Sequence, residues 1–97
     1  MLNKTFDFIC YRCIEREINN NVISVSVPEI SQELGYSQNL IRKEVKRLKE
    51  LELVEPVCTS GFNEKTDKYV VVRGYKVTDK GKGTETYQKN LYSLAEM

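Results

Sequence analysis

Ser37–Lys49 reads SQNLIRKEVKRLK, and its pattern decides how the rest of the chain is placed. Serine is a residue whose hydroxyl caps the unpaired N–H groups of a first helical turn. Ile41, Val45 and Leu48 follow at steps of four and three, which puts them on one helical face. Gln38, Asn39, Arg42, Lys43 and Lys46 fall on the opposite side. The stretch is therefore expected to be a helix with an apolar inner stripe and a basic, amide-bearing outer one.

Working back toward the N-terminus, Ser26 and Glu29 stand at the spacing of a capping box, and Pro28 suits a first helical turn. Ile30 and Leu34 give this second helix an inward face, and Gly35 ends it. Two short helices joined through Gly35, Tyr36 and Ser37 have the layout of a helix-turn-helix, over about 26–51. Before them, a first helix is expected from Asn3 or Thr5 to about Asn19. Its apolar stripe is Phe6, Ile9, Cys10, Cys13, Ile14 and Ile18, and its polar side is Asp7, Arg12, Glu15 and Arg16. Asn19, Asn20 and Asn21 end that helix, and Val22–Val25 reads as a brief strand.

Beyond Leu51 the period changes. Leu53–Cys58 reads as a strand that Pro56 confines to a sheet edge. Thr59–Lys68, with Gly61, Asn63 and Asp67, reads as a long connection, and Tyr69–Val77 as the central strand, with Gly74 a candidate bulge. Together they form a wing-like hairpin over about 53–77. Thr78 and Asp79 can cap a C-terminal helix over about 79–95, although Gly81 and Gly83 weaken its first turns and Thr84 offers a second start. Tyr87, Leu91 and Leu94 carry its apolar stripe. The expected fold class is α+β in one domain spanning 1–97.

Ninety-seven residues suit one small core, and no apolar run approaches the roughly 18 residues of a membrane span. No secretory signal is read in MLNKTFDFICYRC, so a cytoplasmic location is expected. The formal net charge of +1 hides its distribution. Residues 37–49 carry five basic side chains against one acidic, and residues 50–64 carry four acidic and none basic. Residues 65–97 hold seven basic against four acidic, the asymmetry of a one-sided basic face.

Three cysteines, an odd set in a chain where no export signal is read, argue against a disulfide framework, and the absence of histidine removes the commonest general base and zinc ligand. Cys10 and Cys13 form a C-x-x-C inside the first helix, where core packing is preferred to metal or redox chemistry because a tetrahedral site lacks ligands. No nucleophile-base combination or paired carboxylates appear, and the glycines of DKGKG lack a phosphate loop's Lys-Ser/Thr ending. No catalysis, metal or cofactor is expected.

The outer face of Ser37–Lys49 offers side chains that bind nucleic acid. Arginine pairs with guanine, asparagine or glutamine with adenine, and lysine with phosphate. A solvated helix surface is the alternative. The order helix, strand, helix, turn, helix, hairpin, helix resembles the winged helix-turn-helix family over roughly residues 5–90. VPEISQELGYSQNLIRKEVKRLKELELV, the hairpin and YKVTDKGK carry the resemblance, which is to bacterial regulators of the MarR and PadR types. It implies double-stranded DNA as partner, with Gln38, Asn39, Arg42, Lys43 and Lys46 on the DNA side and Lys65, Lys68 and Arg73 in the wing. Such regulators often pair through terminal helices, which implies a homodimer contact at Tyr87, Leu91 and Leu94; the alternative is that this helix folds onto the first helix of its own chain. Glu52 stands where the family usually has glycine, so either the helix ends differently or Glu52 adopts a left-handed conformation. Leu40 occupies a commonly small or polar position, and packing against the first helix is expected of it.

The resemblance implies a small sequence-specific transcriptional regulator. The alternative is a winged-helix protein-interaction module in a replication or segregation complex, which the near-neutral charge and the acidic Glu50–Glu64 segment would suit. No separate effector-binding domain fits the length.

Overall fold

A computed structural model describes residues 2–21, 23–63 and 66–95. In order they form α1 (Leu2–Ile18), α2 (Val27–Leu34), α3 (Gln38–Glu50), β1 (Val54–Asn63), β2 (Lys68–Val77), α4 (Asp79–Lys82) and α5 (Glu85–Ala95). The fold class is α+β: the helices pack around the base of one antiparallel β1–β2 hairpin. This is the winged helix-turn-helix arrangement expected from the sequence.

The core forms where the apolar stripes meet. Phe6, Ile9, Cys10, Cys13 and Ile14 of α1 are buried against Ile30, Ile41, Val45 and Leu48 of the two short helices, Val54 and Val77 of the hairpin base, and Tyr87 of α5. Burying one such aliphatic side chain contributes about 1.5–3 kcal/mol. Ile18, placed in the α1 stripe by its spacing, is instead 57% exposed, because the helix ends there and the chain turns away.

Two helix ends solve the same problem in the same way. After α1, Asn20 is left-handed (φ 57), its N–H reaching Glu17 O and that of Asn21 reaching Arg16 O. After α3, Glu52 is left-handed (φ 62), its N–H reaching Lys49 O and that of Leu53 reaching Leu48 O. Both are the paired bonds of a Schellman cap. Glu52 therefore adopts the left-handed conformation that glycine would adopt more readily, and the helix boundary is the usual one.

The capping expectations hold in part. Ser26 Oγ accepts from Glu29 N at 3.3 Å, but the Glu29 carboxylate does not complete a capping box. It turns to Arg16 and to Arg12 Nε (3.5 Å). Arg12 also pairs with Glu15 (2.9 Å) and Glu33 (3.4 Å) and lies over the Phe8 ring, so the polar side of α1 is an ion-paired seam against α2.

The hairpin is longer than its sequence suggests. Pairing runs from Val54↔Val77 to Asn63↔Lys68, so Thr59–Asn63 belongs to β1 and the connection shrinks to 64–67. The expected Val22–Val25 strand reduces, among described residues, to one bridge, with Val25 and Tyr75 exchanging two N–H···O bonds of 2.9 Å. Because both Tyr75 backbone groups turn toward Val25, the opposite residue, Pro56, needs no donor on that side. β2 is central only there.

Gly74 is not a bulge, since the register passes through it unbroken as Val57↔Gly74. A Cβ there would stand 2.4 Å from Ser24 Oγ and 2.8 Å from Val25 O, so glycine permits the close approach that makes the bridge. Gly81 serves the same purpose: a Cβ would lie 2.3 Å from Leu53 O. The expected single helix over 79–95 is two helices, each with its own cap. Thr78 Oγ1 accepts from Gly81 N at 3.0 Å, and Thr84 Oγ1 accepts from Tyr87 N at 3.3 Å.

Candidate nucleic-acid interface

Gly35 (φ 75) and the Ser37 cap turn the chain sharply into α3, so its two faces separate cleanly. Ile41, Val45 and Leu48 are buried, whereas Gln38, Asn39, Arg42, Lys43 and Lys46 are exposed. Arg42 is held back along the helix, its guanidinium donating to Asn39 Oδ1 (3.3 Å) and Gln38 Oε1 (3.2 Å). These three side chains form one connected polar surface across the first turns of the helix. Leu40 is half-buried.

Glu44 breaks the expected division of this helix. It is 8% exposed and accepts a hydrogen bond from the hydroxyl of Thr5, which is fully buried on α1. The signal was present in the spacing, since Glu44 follows Ile41 by three residues and precedes Leu48 by four. Its charge disguised an inward position. Removing one member of such a buried pair costs about 1–3 kcal/mol, because the other is left desolvated.

In the hairpin, Lys68 is exposed at the start of β2 and Arg73 is exposed opposite Cys58. Lys65 lies outside the described residues. Among the described residues, Arg42, Lys43, Lys46, Lys68 and Arg73 form no ion pair with a carboxylate. At the hairpin base, by contrast, Lys76 pairs with Glu55 at 3.3 Å and Lys80 with Glu52 at 3.5 Å. Glu50 meets Arg47 at 3.6 Å, so the three described carboxylates of the acidic segment, Glu50, Glu52 and Glu55, are each ion-paired. Among the described residues, unpaired cations are thus left on the outer face of α3 and on β2 of the wing.

Between them lies a trough of about 730 Å³. One wall is the start of α2, with Val27 and Pro28; another is the hairpin, with Pro56, Cys58, Arg73 and Tyr75; Arg42 is the α3 residue that borders it. Pairing places Pro56 opposite Tyr75 and Cys58 opposite Arg73, so these four share one face of the sheet. Sequence reasoning found Arg42 and Arg73 separately and did not bring them together, because their juxtaposition depends on the Val25–Tyr75 bridge.

The expected dimer residues separate. Tyr87 is 6% exposed and belongs to its own chain's core, where burial raises its phenol above the ordinary range, so it is not a surface contact. Leu94 is partly buried against that core. Leu91 is 38% exposed, and its neighbour Tyr92 is 70% exposed. The fold-back alternative accounts for Tyr87, as α5 packs along α1 and Asn90 Nδ2 donates to Asp7 Oδ1 at 2.8 Å.

Cys10 and Cys13 are buried in α1, as the apolar stripe implies. Burial pushes the Cys10 thiol up to about 12 and raises Cys13 as well. Cys58 is exposed. No helix among the described residues is long and apolar enough to cross a membrane.

No family model matches the chain, and no curated protein matches it. A solved structure of Lactococcus lactis ZitR, in a cysteine-to-serine mutant form, aligns with a TM-score of 0.49 and 19% identity. The alignment covers 95% of this chain and 57% of that one, so this chain spans little more than half the length of the protein it matches. The fold therefore rests on its own element order, register and core.

Proposed function

We propose that the chain is a small transcriptional regulator that binds double-stranded DNA, with the outer face of α3 in the major groove and the hairpin on flanking backbone. The observation that carries this is the gathering on α3 and the wing of exposed cations, Arg42, Lys43, Lys46, Lys68 and Arg73, that form no carboxylate pair among the described residues, whereas Lys76 and Lys80 at the hairpin base are paired. Gln38 and Asn39 have the donors and acceptors to read adenine, and Lys43, Lys46 and Lys68 suit phosphates. The resemblance of VPEISQELGYSQNLIRKEVKRLKELELV and YKVTDKGK to regulators of the MarR and PadR types supports the same reading.

Two copies would meet through α5, with Leu91 and Tyr92 at the contact and Leu94 behind them. A two-fold pair with recognition helices about 34 Å apart reads half-sites one turn of B-form DNA apart, so the preferred site is palindromic. Selection from random duplexes, repeated at rising salt, tests this. A palindromic sequence and an affinity that falls steeply with salt are expected. Absence of binding, or binding indifferent to salt, overturns the reading. The second reading, a protein-interaction module, is favoured by the same exposed Leu91 and Tyr92. It predicts that the α3 cations do not matter to the partner.

A further inference from the structure

The trough between α2, α3 and the hairpin has a shape and chemistry that the α3 face does not share. It is concave, whereas a helix reading base edges presents a convex surface. Its walls are apolar at Val27, Pro28, Pro56 and Tyr75, and its charge comes from Arg42 on one side and Arg73 on the other. The start of α2 adds little attraction for an anion. Pro28 has no N–H, that of Glu29 goes to Ser26 Oγ and that of Ile30 to Ser26 O, which leaves at most the N–H of Val27 and the neutral hydroxyl of Ser26. Anion affinity here belongs to the two guanidinium groups, whose planar donors fit phosphate oxygens in pairs.

A duplex has one ridge that fits such a concavity. A helix in the major groove and a hairpin on the next minor groove must straddle the sugar–phosphate strand between them. Deoxyribose faces suit the apolar walls, and phosphates suit the arginines. We propose that this trough seats one sugar–phosphate strand of a bound duplex, with Arg42 and Arg73 as its two phosphate ligands. Arg42 thereby grips backbone, and base reading falls to Gln38 and Asn39 on the convex face. The inference rests on the DNA-binding reading above and refines it.

Cys58 supplies a probe inside the trough. It is exposed and lies directly across the ladder from Arg73, while the other two cysteines are buried. A sulfonatoethyl disulfide on Cys58 would place a negative group between the arginines. A trimethylammonium-ethyl disulfide of similar size places a positive one. The C58S variant, which neither reagent can label in the trough, is the control.

The experiment measures affinity across a duplex library at several salt concentrations for the wild type, R42A and R73A. Both arginines are exposed, so folding is expected to survive and is checked by thermal melting. Each variant should bind all sequences roughly tenfold more weakly, with the ranking of sequences unchanged and the salt slope reduced by about one. The sulfonate adduct should bind DNA at least tenfold more weakly than the trimethylammonium adduct, and bound DNA should protect Cys58 from labelling. A change of base preference at one position in R42A, with the salt slope intact, would show that Arg42 reads a base and would overturn the inference while sparing the DNA-binding reading. Equal affinities of the two adducts would also overturn it. A wild-type chain that binds no duplex would sink both.

Discussion

Helices α3 and α5 are built alike and exposed differently. Each opens with a hydroxyl cap, Ser37 accepting from Leu40 N and Thr84 from Tyr87 N, both at 3.3 Å. Each buries an apolar stripe against the shared core. Outward, α3 shows amides and uncompensated cations, whereas α5 shows Leu91 and Tyr92. Inward residues explain why both are helices; only the outward ones distinguish what each is for. On this reading α3 meets DNA and α5 meets a second copy.

The contrast can be broken most directly at the cations. Lys43→Glu with Lys46→Glu should weaken duplex binding by on the order of a hundredfold, since two phosphate contacts become repulsions. Fluorescence anisotropy measures it, and the melting temperature should barely move because both side chains are exposed. If a change on the exposed face of α5 weakened binding to a single half-site as severely, the division between the helices would fail.

The junction leading into α5 gives the next largest effect. A Cβ on Gly81 would meet Leu53 O at 2.3 Å, whereas one on Gly83 meets nothing nearer than Lys80 O at 3.5 Å. Gly81→Ala should therefore cost about 1–3 kcal/mol in a denaturant melt. Gly83→Ala should be close to neutral. Equal effects would show that α4 is not wedged against the hairpin base.

On α5 itself, Leu91→Glu with Tyr92→Glu should weaken self-association by roughly tenfold or more, measured by sedimentation, and shorten the DNA footprint to one half-site. The smallest effect is expected where α3 ends. Glu52 is left-handed at φ 62, a conformation that costs a side-chain-bearing residue about 1–2 kcal/mol. Glu52→Gly relieves this, loses an exposed pair to Lys80 of little value, and adds unfolded-state freedom. A net gain of about 0.5–1 kcal/mol should appear in thermal unfolding.

Local chemistry made part of this legible beforehand. The caps at Ser26, Ser37 and Thr78, the stop at Gly35 and most of the apolar stripes of α1 and α3 depend on near neighbours in the chain, and they appear where the residues imply, Ile18 at the end of α1 excepted. What depended on distant partners did not show. Thr59–Asn63 has the composition of a loop and becomes strand because Lys68–Val72 pairs with it. Gly74 and Gly81 looked like defects in their own elements; each is instead a place where another segment comes too close for a side chain. At the candidate site, the exposed side chains of α3 were readable from spacing. Glu44 hid behind its charge, Tyr87 looked available until α1 covered it, and the trough needed three elements at once.

The Val25–Tyr75 bridge has a consequence in leverage. It is a single pair of backbone bonds tying the segment before α2 to the hairpin, and from it β2 runs back seven residues to Lys68, about 23 Å of extended chain. Over that arm, a tilt of about 10° at the bridge carries the hairpin's far end through about 4 Å. That exceeds the span of a hydrogen bond, so two short bonds and the missing side chain of Gly74 help to set where the far end of the wing stands relative to the outer face of α3, and with it the reach of the proposed DNA grip.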